Sequence, residues 1–172
     1  MLKNIVNVVL VMKIIIDADA CPVVDITVNT AKERNLECII VCDNSHSIEK
    51  EGAKTIVVDK GADSADCRIA NLTEKGDVII TQDYGLAALV LGKGGKALNQ
   101  NGLIYTDSNI ENLLFTRFIG KKERMAGKRT KGPKKRIEQN DAERGVRMIE
   151  RLFKEIYCFS CSMIHLTASS RF

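Results

Sequence analysis

The sequence contains no tryptophan, and aromatic residues make up only 5% of its 172 residues. A platform of aromatic side chains that binds single-stranded nucleic acid by base stacking is therefore not predicted. No apolar run approaches the roughly 20 residues that a membrane-spanning helix needs, and the chain has no internal repeat. We expect one globular domain with terminal extensions and no membrane partner.

The six cysteines do not form the pattern of a disulfide framework. Cys38 and Cys42 fall in a predicted buried strand, and Cys21 directly precedes Pro22. Buried free thiols in a reducing compartment are the preferred interpretation. A single CxxC at residues 158–161 is only weak support for zinc or redox chemistry, because no second pair accompanies it.

The first twenty residues imitate a secretory signal peptide, with an apolar run followed by Ala18, Asp19 and Ala20. Lys13 interrupts that run, and cleavage after Ala20 would remove a complete strand together with its aspartates. We therefore expect the folded domain to start at Met12 and the protein to be cytoplasmic.

Two apolar runs end in aspartates. The first, residues 14–16, is followed by Asp17 and Asp19, and the second, residues 78–80, is followed within three residues by Asp83. Ligands of open α/β sheets bind outside the carboxyl ends of the strands, so these carboxylates are expected to share one crevice. Like charges held close repel unless a cation intervenes, and oxygen-rich clusters suit Mg²⁺ and Mn²⁺.

Apolar runs alternate with segments of helical period along the chain, which predicts an α/β fold with a parallel sheet. The predicted strands are 12–16, 37–42, 54–58, 77–81 and 103–105, and the predicted helices are 22–34, 63–73, 84–91 and 107–118. The glycine-rich segment 92–96 lacks the spacing of a phosphate-binding loop and is interpreted as a turn.

Positive charge is concentrated between Lys121 and Arg136, where nine Lys or Arg residues accompany the single acid Glu123. The net charge of the whole chain is only +4. A basic arm beside an acidic site suits a polyanionic substrate, because the arm can hold phosphates while metal ions mask the carboxylates. Nucleic acid is therefore the expected partner.

Four motifs in order resemble those of the YaiI/YqxD family of uncharacterised bacterial proteins. They are DADACPV from Asp17, DSAD from Asp63, TQDYGLA from Thr81 and KRTKGP from Lys128. The family is similar in fold to the PIN domain, a Mg²⁺- or Mn²⁺-dependent ribonuclease fold. The resemblance implies a three-layer α/β fold with a five-stranded parallel sheet in the order 3-2-1-4-5, flanked by helices. A shared fold does not by itself imply a shared activity.

The resemblance, which runs from about residue 12 to 153, also divides the chain. Residues 1–11 are an upstream extension, 12–120 the PIN-like domain, 121–136 the basic arm and 137–156 a C-terminal helix. Residues 157–172 form a tail without a counterpart in the family.

A PIN-type site implies three or four carboxylates around one or two cations that activate a water molecule. The candidate catalytic residues are Asp17, Asp66 and Asp83, and the candidate metal ligands are Asp17, Asp19, Asp63, Asp66 and Asp83. The candidate RNA-binding residues are Lys128, Arg129, Lys131 and Lys134. Three further candidates are His46 as a phosphate contact, Tyr84 as a base-stacking ring and Asp107 as an additional acid.

Structural interpretations remain open for several of these aspartates. Asp63 and Asp83 also suit helix N-caps, and Asp19 also suits a hydrogen-bonded turn before Pro22. Asp17 differs, because a carboxylate at the end of a buried strand beside another acid is unfavourable without a partner.

The leading hypothesis is a Mg²⁺- or Mn²⁺-dependent nuclease acting on RNA. One alternative is a phosphohydrolase of the haloacid dehalogenase type, because Asp17-Ala18-Asp19 imitates its nucleophile and general acid. Cys21, where that class expects Thr or Ser, weakens this alternative. The other is a non-catalytic RNA- or partner-binding module, which would bind the cation without turnover.

Overall fold

The computed structural model describes residues 12–19, 21–44, 48–59, 61, 64–127 and 147. Within these ranges the strands are β1 (Lys13–Asp17), β2 (Glu37–Asp43), β3 (Lys54–Val58), β4 (Val78–Ile80), β5 (Lys96–Leu98) and β6 (Ile104–Tyr105). The helices are α1 (Val24–Glu33), α2 (Ser64–Leu72), α3 (Tyr84–Gly92) and α4 (Asp107–Met125). None of these helices is long and apolar enough to cross a membrane.

The strands form one sheet in the order β3-β2-β1-β4-β5-β6. All neighbours are parallel except β5 and β6, which are antiparallel. The predicted α/β class and the order of the first five strands are confirmed, but the sheet has six strands instead of five. The segment predicted as the fifth parallel strand, 103–105, contains the antiparallel β6. The true β5 escaped prediction because it has only three residues, begins with a lysine and follows a glycine-rich turn.

The sheet lies between two helical layers. Ile14 and Ile16 of β1 point to one face, where they pack with Val28 and Ala31 of α1. Ile15 points to the opposite face, into a second core cluster to which α2, α3 and α4 all contribute. These three isoleucines are completely buried. Because both faces of β1 are covered, its sequence is continuously apolar rather than alternating.

A buried ion pair joins β1 to the turn before β4. The Asp77 side chain accepts hydrogen bonds from the backbone amides of Lys13, at 3.1 Å, and Glu74, at 2.8 Å. The Lys13 ammonium lies 3.2 Å from Asp77 and 3.2 Å from Glu74. These contacts hold the amino ends of the two central strands together.

Helix α4 is longer than predicted, since it continues past Phe118 to Met125. Residues 121–125, which belong to the predicted basic arm, are therefore helical. Lysine, glutamate, arginine and methionine are good helix formers, and Gly120 is the single unfavourable residue in this half of the helix. The start of the basic segment at Lys121 therefore does not mark the end of α4.

Candidate functional site

The candidate site lies where β1 and β4 end side by side. Ile16 is paired with Ile80, so Asp17, the last residue of β1, lies level with Thr81, the residue after β4. The Thr81 hydroxyl donates a hydrogen bond of 2.7 Å to Oδ2 of Asp17. The same hydroxyl accepts a hydrogen bond of 3.0 Å from the backbone amide of Asp83. Thr81, which is 2% exposed, therefore links the two strand-end aspartates.

Asp17 lies in an electrostatically unfavourable position. Burial raises the pKa of its carboxyl group to about 6, and repulsion from Asp66, Asp19 and Asp83 acts in the same direction. The hydrogen bond from Thr81 opposes this shift. These four residues, Asp17, Asp19, Asp66 and Asp83, are called the aspartate cluster below. Asp66, Asp19 and Asp83 are thus near enough to Asp17 for their charges to disfavour its ionised form.

Asp83 is held by two kinds of donor. Its Oδ1 caps α3 by accepting hydrogen bonds from the amides of Gly85, at 2.6 Å, and Leu86, at 3.2 Å. Its Oδ2 lies 2.7 Å from Nη1 of Arg117. Although burial acts to raise its pKa, the arginine and the two amides hold the pKa of Asp83 below its ordinary value. The structural interpretation of Asp83 as a helix cap is therefore confirmed.

Arg117 of α4 is the residue that sequence reasoning missed. Its guanidinium pairs with Asp83 and lies 6.0 Å from the centre of the Tyr84 ring. The hydrogen bond to Asp83 raises the pKa of Arg117, and the charge of Asp66 contributes in the same direction. Nothing in the sequence marks this arginine, because it is 34 residues from Asp83 and belongs to none of the motifs.

The other two members of the cluster come from different elements. Asp66 lies in the first turn of α2 and is half-buried. Asp19 is exposed, and its Oδ1 accepts a hydrogen bond of 3.3 Å from the backbone amide of Asp43 at the end of β2. That bond joins the ends of β1 and β2, and the turn before Pro22 and direct ligation stay open as further roles of Asp19.

Tyr84 lies beside the aspartate cluster, whereas Asp107 does not. Tyr84 is half-buried, packs edge-on against Tyr105 at 5.9 Å, and has Arg117 over its ring. Asp107 begins α4 directly after the antiparallel β6, so it lies toward the amino edge of the sheet. The structure therefore does not bring Asp107 to the aspartate cluster.

Several predicted site residues lie outside the described residues. They are His46, Asp63, Lys128, Arg129, Lys131 and Lys134.

The fit of a cation to the described residues is incomplete. The donors are carboxylate and hydroxyl oxygens, which are the ligands that Mg²⁺ and Mn²⁺ prefer. Among the residues that the structure describes, however, no three acidic, histidine or cysteine side chains are grouped closely enough to hold a metal ion. The oxygen donors suit a hard cation, but the Asp83 carboxylate already forms an ion pair with Arg117.

Cys21 lies near the cluster as a thiol. Burial raises its pKa to about 11, and the charge of Asp17 adds to the shift. A thiolate ligand or nucleophile is therefore disfavoured at this position near neutral pH. The four cysteines of the described ranges are free: Cys38 and Cys42 are buried as expected, whereas Cys21 is half-buried and Cys67 is exposed.

Comparison with known proteins identifies the family. Residues 15–155 match the family model described as "Uncharacterized BCR, YaiI/YqxD family". The chain belongs to the YaiI/YqxD family. The resemblance drawn from its four motifs is thereby confirmed.

Related bacterial proteins of this family share about half of the aligned residues. A UPF0178 protein of Ruminiclostridium cellulolyticum is 50% identical over 130 residues, which cover 76% of this chain and 85% of that protein. A UPF0178 protein of Exiguobacterium sibiricum is 51% identical over 131 residues, covering 76% and 90%. No solved structure matches the chain.

Removing the Thr81 hydroxyl is expected to raise the pKa of Asp17 further. In Thr81→Val the carboxylate loses its 2.7 Å donor, while burial and the neighbouring aspartates still disfavour the charge. The shift is measurable by following the side-chain carboxyl carbon of Asp17 in an NMR titration. Thr73→Val is the matched control, because Thr73 is also buried but donates to the Ile69 carbonyl. An unchanged midpoint in Thr81→Val would contradict the assigned role of the hydroxyl.

Proposed function

We propose that this protein hydrolyses phosphodiester bonds of RNA with the help of Mg²⁺ or Mn²⁺ bound at the aspartate cluster. The observation that carries the proposal is the state of Asp17, a mostly buried carboxylate whose pKa is raised by burial and by three neighbouring aspartates. Such a group is stabilised by a cation that the cluster binds. Asp17 also lies at the carboxyl end of a parallel strand, which is where ligands of open α/β sheets bind.

Asp17 and Asp66 are the described residues that would hold the cation, and Asp83 would join them only after separating from Arg117. When bound, a hard cation activates a water molecule and stabilises negative charge on the phosphoryl oxygens. Thr81 keeps the Asp17 carboxylate oriented by its hydrogen bond. Arg117, once it has left Asp83, provides a positive group for the substrate phosphate.

RNA is the substrate class that the charge distribution favours. A cluster of carboxylates repels a polyanion, so binding of the polymer requires positive groups nearby. Arg117 supplies one of them at the cluster, and Lys128, Arg129, Lys131 and Lys134 are proposed to supply others from the basic arm. The free thiols support a reducing compartment, and we place the function in the cytoplasm.

The first experiment is a cleavage assay on labelled single-stranded RNA and DNA in Mg²⁺, Mn²⁺ or EDTA. We expect cleavage of RNA that requires the cation and falls by about 100-fold or more in Asp17→Asn, since cations contribute several kcal/mol to such reactions. Asp59→Asn, which removes an exposed carboxylate from the loop after β3, is the matched control. No cleavage in any cation, with purified and folded protein, would refute the proposed hydrolysis.

A non-catalytic RNA-binding module is the second candidate. The observation that favours it is the ion pair between Arg117 and Asp83, which satisfies one aspartate of the cluster without a metal ion. This candidate predicts RNA binding that weakens with salt but gives no cleavage in any cation. The phosphohydrolase alternative is tested in the same preparation by trapping an aspartyl-phosphate on Asp17.

A further inference from the structure

Helix α4 extends beyond the sheet on the side of the aspartate cluster. It begins after β6, which runs antiparallel to the rest of the sheet, and therefore starts near the amino edge. Its 19 residues span about 28 Å, whereas a five-residue strand such as β1 spans about 17 Å. Arg117, in the middle of the helix, already reaches Asp83 at the carboxyl edge. The residues that follow Arg117 therefore project past the cluster.

One face of α4 changes from apolar to basic along its length. In the first half, Ile110 is buried in the core, and Leu113 and Leu114 pack against it. At about 100° per residue, the stripe that these side chains occupy continues through Arg117, Lys121 and Arg124. The single acid in this part of the helix, Glu123, lies about 160° from Lys121 on the same projection. The face of α4 that packs against the core in its first half therefore carries only positive charges in its second half.

The three cations form a row rather than a compact group. Lys121 and Arg124 follow Arg117 by about 6 and 10 Å along the helix axis. The side chains of Lys121 and Arg124 are exposed. Each has the length and the hydrogen-bond donors to contact a phosphate of a passing strand.

We propose that this face of α4, formed by Arg117, Lys121 and Arg124 and called the basic face below, binds phosphates of an RNA strand and leads the strand to the aspartate cluster. The proposal rests on the proposed function and specifies the surface that binds its substrate. Four carboxylates at the cluster repel the backbone of the polymer, and the basic face is a positive surface that reaches them through the pair of Arg117 and Asp83. Arg117 belongs to both, because it pairs with Asp83 at one end of the row.

The test measures RNA binding without catalysis. The full-length chain is titrated against a fluorescently labelled 20-nucleotide oligouridine in EDTA, and anisotropy is recorded at several salt concentrations. Lys121→Gln with Arg124→Gln removes two charges from the basic face. Loss of two phosphate contacts on a single strand lowers the slope of log affinity against log salt by about 1.4, which corresponds to roughly 25-fold weaker binding at 0.1 M salt.

The control is the double variant Lys32→Gln with Lys122→Gln, which removes the same charge from other surfaces. Lys122 lies over the ring of Phe118, and Lys32, a residue of α1, pairs with Glu51. Its slope and affinity are expected to stay within twofold of those of the unmodified chain. Contacts made by the rest of the chain are common to all variants and cancel in the comparison. Circular dichroism confirms that both variants are folded.

The outcomes separate this inference from the proposed hydrolysis. If the basic-face variant binds as tightly and with the same slope as the control variant, the basic face is not the RNA-binding surface, even if the protein cleaves RNA. If the slope falls selectively but no cation supports cleavage, the basic face is established and hydrolysis is refuted. Failure of the unmodified chain to bind the oligonucleotide overturns the inference.

Discussion

Replacing Asp17 with asparagine is expected to stabilise the fold at pH 7 by about 2 kcal/mol, although the same change removes the proposed cleavage. The carboxyl group of Asp17 has a pKa of about 6 in the folded chain, compared with about 3.9 in an unfolded chain. One pKa unit corresponds to about 1.4 kcal/mol, and the partial exposure of Asp17 reduces the total. Asparagine keeps the shape and an acceptor for Thr81, but it carries no charge.

The pH dependence of stability gives the sign of this effect. Between about pH 4 and pH 6 the folded chain binds a proton on Asp17 that the unfolded chain does not bind, so the free energy of unfolding falls as the pH rises through this window. In Asp17→Asn this part of the decrease is expected to be absent. The two proteins should therefore be nearly equal in stability near pH 4 and differ most at pH 7.

Urea unfolding followed by circular dichroism at pH values from 4 to 8 measures the difference. The exposed substitution Asp59→Asn is expected to leave the profile unchanged. A variant at Asp17 that is less stable than the unmodified chain at pH 7 would contradict the electrostatic description of the cluster. Addition of Mg²⁺ should stabilise the unmodified chain more than Asp17→Asn, because a ligand stabilises only the fold that binds it.

Asp77→Ala is expected to destabilise the fold by about 3 to 5 kcal/mol. Asp77 is 1% exposed and accepts hydrogen bonds from the amides of Lys13 and Glu74. Its removal leaves those amides without an acceptor and leaves the Lys13 ammonium, whose side chain is 12% exposed, with only the exposed Glu74 carboxylate. A buried charge that loses its partner is far more unfavourable than an exposed one.

The exposed ion pair of Lys32 and Glu51 provides the matched control. Its side chains are 57% and 93% exposed, with 3.0 Å between the charged atoms. Lys32→Ala should therefore change the free energy of urea unfolding by less than about 1 kcal/mol. A loss of less than 1 kcal/mol in Asp77→Ala would contradict the structural role assigned to Asp77. Lys13→Met should reduce the loss when it is combined with Asp77→Ala, since the unpaired ammonium is then absent.

The parts of the fold that the sequence predicted are those with continuous apolar runs. Strands β1 to β4 were found within one residue at each end, because an uninterrupted run of isoleucine and valine has few alternative structures. Strand β5 gave no such signal, since Lys96 and two small-to-medium residues after a turn resemble a loop. The end of α4 was missed because its basic residues form a helix as readily as the residues before them.

The candidate site also has one part that the sequence predicted and one part that it did not. Asp17 and Asp83 follow recognisable strands, and Asp66 begins a helix of clear period, so their convergence at one edge followed from the topology of parallel sheets. The position of Arg117 depends on the antiparallel direction of β6, which sends α4 back toward that edge. The direction of a two-residue strand is not encoded in its own sequence pattern. The partner of Asp83 therefore became visible only in three dimensions.

The order of the strands also determines when the repulsion within the aspartate cluster arises during synthesis. Strand β2 directly follows α1 in the chain, but the other neighbour of β1, β4, comes only at residues 78–80. Until then one edge of β1 is open, and Asp17 faces water without Thr81 or Asp83 beside it. Arg117 follows later still. The unfavourable charge of Asp17 therefore arises once β4 and Asp83 have joined β1, well after residue 17 has been made.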